Sequence, residues 1–292
     1  MDPIKLPKSA KTAIRNASRK HIEDHFAALP RGFRRRKWIN ANNRYRTNCI
    51  SRYRADIAPG GTVRNSQLLS YIAASAPCHA IDGWSFLGRA IDSALRRDAY
   101  GAIHFGYYAE LRAAMALLAC EGFCVLDDKH PVVSPLGIPT PLPQLQFLNK
   151  LGNYYPKDAR THVVPKPCLQ HWSTLSKSAD LLNEIVRPGD AGLRDWLGLV
   201  GVPSNSRAIG QKWLRAWGVD LGLMETDHLA RNLVSYRPSE FRLPAAAKAE
   251  DVLSFVSELW QLFEPSQPRD SRAWKMSCCC EPFKRREFPF HP

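Results

Sequence analysis

Residues Arg96–Ala119 read RRDAYGAIHFGYYAELRAAMALLA, and their spacing sets the architecture expected of the chain. Its apolar and small side chains recur at three- and four-residue steps, the spacing of one helix face. The pattern predicts a long helix from about Tyr100 to Cys120, closed by Gly122 in the left-handed conformation that ends many helices. Leu111, Met115 and Leu118 would fill a seam, while Ala109, Ala113 and Ala116 would let a neighbouring helix approach closely. Arg97 and His104 stand seven positions apart, nearly two helical turns, which would place both side chains on one face.

Helical patterns dominate the rest of the chain. An amphipathic helix is expected over Ser9–Leu29, ended by Pro30, Arg31 and Gly32. A second is expected over Asn65–Ala76, stopping before Pro77, and a third from Asp82 through Trp84, Leu87, Ile91 and Leu95. Phe123–Leu126 reads as a short extended piece. His130–Pro143 carries five prolines and reads as a loop insertion. Further helices are expected over Leu142–Leu151, Thr174–Val186, Leu193–Val200, Asn205–Trp217, Thr226–Leu233 and Ala245–Phe263. The best strand pattern is His162–Val164. The chain therefore reads as all-α: a basic N-terminal arm over 1–64, a helical domain over 65–264 with the Pro-rich insertion near 130–143, and an extended or disordered tail over 265–292.

Charge is concentrated at one end. Residues 1–64 hold 16 Lys and Arg against 4 Asp and Glu, which accounts for nearly all of the net +14. Arg34, Arg35, Arg36, Lys37, Arg44, Arg46, Arg52 and Arg54 are interleaved with Phe33, Trp38, Tyr45 and Tyr53. Cations bind phosphates and aromatic rings stack on bases, so this segment, Trp38 included, is the candidate contact for RNA or DNA. The plainer reading is a solvated basic loop. No apolar run approaches the roughly 18 residues of a membrane span. The eight cysteines lack the spacing of a disulfide framework, and a cytoplasmic setting is the expectation. Cys120, Cys124 and His130 could begin a zinc site, with Cys168 or His171 completing it, but no second ligand pair follows, and buried free thiols are the expected state. Phosphate-loop, nucleophile-elbow and zinc-protease motifs are absent, so neither metal nor cofactor is expected.

The segment Ala102–Phe123, AIHFGYYAELRAAMALLACEGF, resembles the signature helix of the HEPN superfamily. Tyr107, Tyr108, Ala109, Ala113, Ala114, Ala116, Leu117, Leu118 and Gly122 carry the likeness. Arg231-Asn232-Leu233-Val234-Ser235-Tyr236 resembles the late-helix R-N-x-x-x-H segment of HEPN ribonucleases, with Ser235 and Tyr236 where the histidine would stand. The resemblance implies a HEPN-like helical bundle and a metal-independent endoribonuclease of a bacterial toxin–antitoxin or phage-defence kind. It also implies a homodimer, or docking to a partner protein.

On that reading Arg97 and His104 carry the chemistry, with Arg231 and Asn232 supporting the phosphate. An arginine would hold the phosphoryl oxygens and a histidine would move the proton near neutral pH. The alternative is a catalytically inactive HEPN-like adaptor that binds nucleic acid or a partner protein. A third reading is an interaction subunit whose arm binds an acidic protein. Residue by residue, Arg97 could be a surface arginine, His104 a half-buried packing residue, and Tyr107 and Tyr108 core or interface.

Overall fold

A computed structural model describes residues 4–29, 39–178, 231, 232 and 235. In chain order the elements are β1 (Ile4–Lys5), α1 (Lys8–Arg15), α2 (Arg19–Ala27), α3 (Cys49–Ile57), α4 (Asn65–Leu95), α5 (Ala99–Cys120), β2 (Pro131–Val133), β3 (Pro139–Pro141), β4 (Leu145–Leu148), β5 (Tyr154–Lys157) and α6 (Pro165–Ser173). The all-α expectation is therefore corrected, because two small antiparallel sheets stand beside the helices. Strands β1, β4 and β5 form one sheet, with Ile4 opposite Phe147 and Phe147 opposite Tyr155. Strands β2 and β3 form a hairpin in which Val132 faces Thr140.

Helix α5 is the spine. Its buried Tyr107, Leu111, Ala114, Met115 and Leu118 belong to a core shared with Ala10 and Ile14 of α1, Leu145 of β4 and Cys168, Leu169 and Trp172 of α6. Ala119 at its C-terminal end joins a second core with Ile22, Tyr45, Tyr53, Leu68, Ile72 and Ala73. Asp98 caps the start of α5 by accepting from the Gly101 N–H at 2.9 Å. Gly122 ends it at φ +85°, and a Cβ there would stand 2.9 Å from the Ser18 carbonyl oxygen. The close approach expected of the small-residue face is present, since a Cβ on Gly83 of α4 would lie 3.4 Å from the Ala109 oxygen. On α4 and α5, Trp84, Leu87, Gly106, Ala109 and Ala113 line an open apolar groove of about 530 Å³.

Several sequence expectations change. The helix over Ser9–Leu29 is broken at Asn16–Ser18, where the Ser18 N–H donates to the Val133 oxygen at 2.9 Å and ties the break to the hairpin. The stop before Pro77 does not occur, and α4 runs through it as one helix of 31 residues. An interior proline costs about 3 kcal/mol. Burial of Leu68, Leu69, Ile72, Ala73 and Ala76 on one side of that proline offsets the cost. The helix expected over Leu142–Leu151 is strand β4, because Leu145 and Phe147 alternate inward against β1 and β5. A four-residue apolar run cannot distinguish the two periods. The strand expected at His162–Val164 is instead a turn leading into α6. The Pro-rich loop holds the β2–β3 hairpin, turned at Gly137 with φ +72°.

Over its described length the N-terminal segment enters both cores: Ala10, Ile14, Ile22, Tyr45 and Tyr53 are nearly inaccessible, and Cys49–Ile57 is a helix. Arg34, Arg35, Arg36, Lys37 and Trp38 lie outside the described residues, as do the tail and the helices expected over Leu193–Val200, Asn205–Trp217 and Ala245–Phe263.

Candidate functional site

His104 projects from the second turn of α5, half-buried, and its Nδ1 lies 2.8 Å from Ser235 Oγ. Arg231 and Ser235 stand four residues apart, both in helical conformation. The Arg231 guanidinium is only 6% exposed and lies over two rings of α5, with its Cζ 5.2 Å from the Tyr107 centroid and 5.5 Å from that of Tyr108. The His104 ring is 5.2 Å from the Tyr108 ring. The paired tyrosines are thus the floor on which a histidine and an arginine from distant parts of the chain converge. His162, on the turn before α6, closes the far side. Its ring stacks 5.8 Å from Tyr107, and its Nδ1 is 2.8 Å from the Tyr107 hydroxyl oxygen.

The electrostatics follow from burial and one cation. Burial first, and the Arg231 charge second, push the His104 pKa below the usual histidine value, so the imidazole is neutral at pH 7. Burial pushes the Tyr107 phenol up to about 12, with Arg231 opposing it. Arg231 has no carboxylate partner among the described residues, and its Nε–H is buried without a hydrogen-bond acceptor. A guanidinium in that state suits a bound oxyanion, which would supply both countercharge and acceptor.

Arg97 is placed differently from the sequence expectation. It is exposed, adopts φ +63° and precedes Asp98, the residue that caps α5. The two-turn spacing to His104 therefore does not apply, because Arg97 is not on the helix. His104 and Arg231 are brought together, and Asn232 follows Arg231 as a half-buried helical residue. Sequence reasoning missed His162, which lay inside a stretch read as strand, and gave Ser235 no role of its own. Their signal is a three-dimensional one, since nothing local marks His162 or Ser235 as neighbours of α5.

The described part of the basic segment is largely engaged with the protein itself. Arg44 donates through Nε and Nη2 to Asp56 at 2.9 and 2.6 Å, and Tyr45 donates to the same carboxylate at 2.7 Å. Arg54 bridges Asp127 and Asp128 at 2.8 and 2.6 Å. Arg52 donates to the Arg44 carbonyl, and Arg46 is exposed. At least two of the four described candidate phosphate contacts are thus ion-paired, so the local positive excess overstates what this surface offers a polyanion.

The zinc reading finds no support in geometry. The His130 Nδ1 accepts from the Leu126 N–H at 3.2 Å and its Nε2–H donates to the Ala159 oxygen at 3.0 Å, so neither nitrogen is left for a metal. Cys49, Cys124 and Cys168 are buried free thiols, and burial pushes all three pKa values up. Among the described residues no helix is long and apolar enough to cross a membrane. No family model, no curated protein and no solved structure matches the chain.

Proposed function

We propose that this chain binds RNA and cleaves it without a metal ion, with His104 and Arg231 acting on one phosphodiester. The observation that carries the reading is their convergence on Tyr108, with a neutral imidazole beside a buried guanidinium whose Nε–H lacks an acceptor. If Nδ1–H donates to Ser235 Oγ, Nε2 carries the free lone pair. That nitrogen takes the proton of the ribose 2′-hydroxyl, and the 2′-oxygen attacks phosphorus. The bond to the 5′-oxygen breaks, the leaving oxygen takes a proton from water, and the His104 imidazolium returns its proton to the hydroxide so formed. Arg231 holds the non-bridging oxygens as their charge rises. The products are a 2′,3′-cyclic phosphate and a 5′-hydroxyl. Proton transfer by a placed histidine is worth roughly 10²–10⁴ in rate, and a cation on the developing charge contributes further.

The substrate is RNA because the attacking group is the 2′-hydroxyl, which DNA lacks. Capture falls to Arg34, Arg35, Arg36, Lys37 and Trp38 more than to the ion-paired Arg44 and Arg54. The likeness of α5 to the HEPN signature helix supports the same chemistry, and a toxin or defence role belongs to that likeness alone. The test is incubation of 5′-labelled single-stranded RNA with the protein in excess EDTA. Wild type should cut it and leave 2′,3′-cyclic ends, while His104→Ala of unchanged circular dichroism should not. RNA left whole by wild type over long incubation would favour the non-catalytic adaptor instead.

A further inference from the structure

We infer that Phe105 and Arg89 form a nucleotide subsite beside His104: a base of single-stranded RNA stacks on the Phe105 ring, and the Arg89 guanidinium takes the adjoining phosphate. The inference deepens the RNA reading and rests on it for the identity of the polymer.

Four rings beside the site form one cluster. On α5, the His104 ring lies 5.4 Å from that of Phe105 and 5.2 Å from that of Tyr108. From α4, the Phe86 ring stacks on both neighbours, 6.4 Å from Phe105 and 5.3 Å from Tyr108. All four side chains are half-buried, and Phe86 and Phe105 stand outside both hydrophobic cores. Aromatic side chains placed so keep part of their surface in water and offer a base a flat partner.

Charge points to the kind of molecule that stacks there. Arg89 is exposed, and its Cζ lies over the Phe105 ring, 5.8 Å from the centroid. It has no carboxylate partner among the described residues, and Asp92, three positions on, pairs instead with Arg96 at 3.0 Å. Arg231, 5.5 Å from the Tyr108 centroid, supplies a second cation to the same cluster. Half-exposed rings interleaved with cations suit single-stranded nucleic acid, whose bases stack while its phosphates pair. The guanidinium over Phe105 does not block the ring. A cation above an exposed ring is worth about two- to fivefold in an equilibrium, whereas a base stacked on an aromatic side chain is worth about five- to a hundredfold. The base therefore displaces Arg89, which turns on its exposed stem to the next phosphate. Because Phe105 is 5.4 Å from the imidazole, the base it takes belongs to a nucleotide adjoining the phosphate that is cut.

A short 2′-O-methyl RNA, which cannot be cut, reads the subsite through binding alone. An abasic residue walked along it should cost wild type about tenfold in affinity at the stacked position. Phe105→Leu, which keeps an apolar side chain in the cluster, should bind the intact RNA about tenfold more weakly. It should then lose no more than about twofold to the abasic residue, because both changes remove one contact. Phe105→Tyr, which keeps the ring, should hold wild-type affinity. Arg89→Gln should flatten the salt dependence by about 0.7 in log–log slope, the share of one phosphate on a single strand. An abasic penalty equal in wild type and Phe105→Leu at every position overturns the inference and leaves the rings as packing between α4 and α5. An unchanged salt slope in Arg89→Gln, or no binding by wild type, overturns it too. Cleavage of ordinary RNA by wild type leaves the RNA reading standing in the first two cases. A Phe105-dependent abasic penalty in a protein that cuts nothing sinks the cleavage reading and supports the subsite.

Discussion

Replacing His130 with Ala should destabilise the fold and remove part of its sensitivity to acid. His130 is 4% exposed, and both ring nitrogens are committed: Nδ1 accepts from the Leu126 N–H, and Nε2–H donates to the Ala159 oxygen. The ring thereby satisfies two backbone groups that would otherwise be buried unpaired. Each orphaned group costs about 1–3 kcal/mol, and water entering the vacated space lowers that figure, so His130→Ala should cost about 2–5 kcal/mol at pH 8. That is a large share of a typical domain's stability without exceeding it.

The pH dependence has a definite sign. Burial, the largest influence, holds the folded-state His130 pKa below the ordinary 6.5, with the Ala159 hydrogen bond and nearby aspartates opposing it. Above pH 6.5 both folded and unfolded chains carry a neutral imidazole, and the stabilisation is fully present. As pH falls below 6.5 the unfolded chain takes up a proton that the folded chain refuses. Stability then drops by up to about 1.4 kcal/mol per pH unit from this one group. His25, His104 and His171 are shifted in the same direction, so wild type should lose stability more steeply than one histidine allows. Urea denaturation of both proteins at pH 8.0, 6.5 and 5.5 isolates the His130 share as the difference between their slopes. Identical slopes, or a cost below about 1 kcal/mol at pH 8, would refute the reasoning.

Asp56→Asn should destabilise the protein by about 2 kcal/mol in denaturant at pH 7, because its buried carboxylate accepts charge-assisted bonds from Arg44 and a third from Tyr45. The Arg44 bond, the largest influence, holds the Asp56 pKa below the usual carboxylate value, so the penalty should shrink as pH falls through that lowered value. Arg231→Gln should raise the His104 pKa, read by an NMR titration of the ring, since the guanidinium charge is one of the two causes of its depression. Changing Arg34, Arg35, Arg36 and Lys37 together to Ser should flatten the salt dependence of RNA binding by up to about 3 in log–log slope. Deleting residues 1–58 would be a poor substitute for that variant, because it removes Ile14, Ile22, Tyr45 and Tyr53 from the two cores.

The helix that organises the molecule was legible at both ends. The period of Leu111, Met115 and Leu118 located α5, and Gly122 marked its stop because a left-handed residue pressed against Ser18 has no room for a side chain. The strands were not legible. Strands of two to four residues carry too few alternations to show a period, and β1 is held by β4 from far along the chain. Pro77 misled for a related reason: its local cost is real, but tertiary burial along α4 exceeds it. At the site, the sequence supplied His104 and Arg231 as separate residues and paired His104 with Arg97, which the structure leaves off the helix. Spacing along a helix predicts which side chains share a face, but Arg97 stands outside the cap that Asp98 makes. No periodicity reports that Arg231 and His162 reach the tyrosines from different elements.

The central claim is that Arg231, and not Arg97, is the cation that works with His104. Single-turnover cleavage of labelled single-stranded RNA in EDTA, comparing Arg231→Ala with Arg97→Ala, tests it most directly. Removing a phosphate-holding cation costs about 10²–10³ in rate, so Arg231→Ala should fall by that factor while Arg97→Ala stays within a few-fold of wild type. Loss of cleavage in Arg97→Ala with Arg231→Ala near wild type would contradict the account.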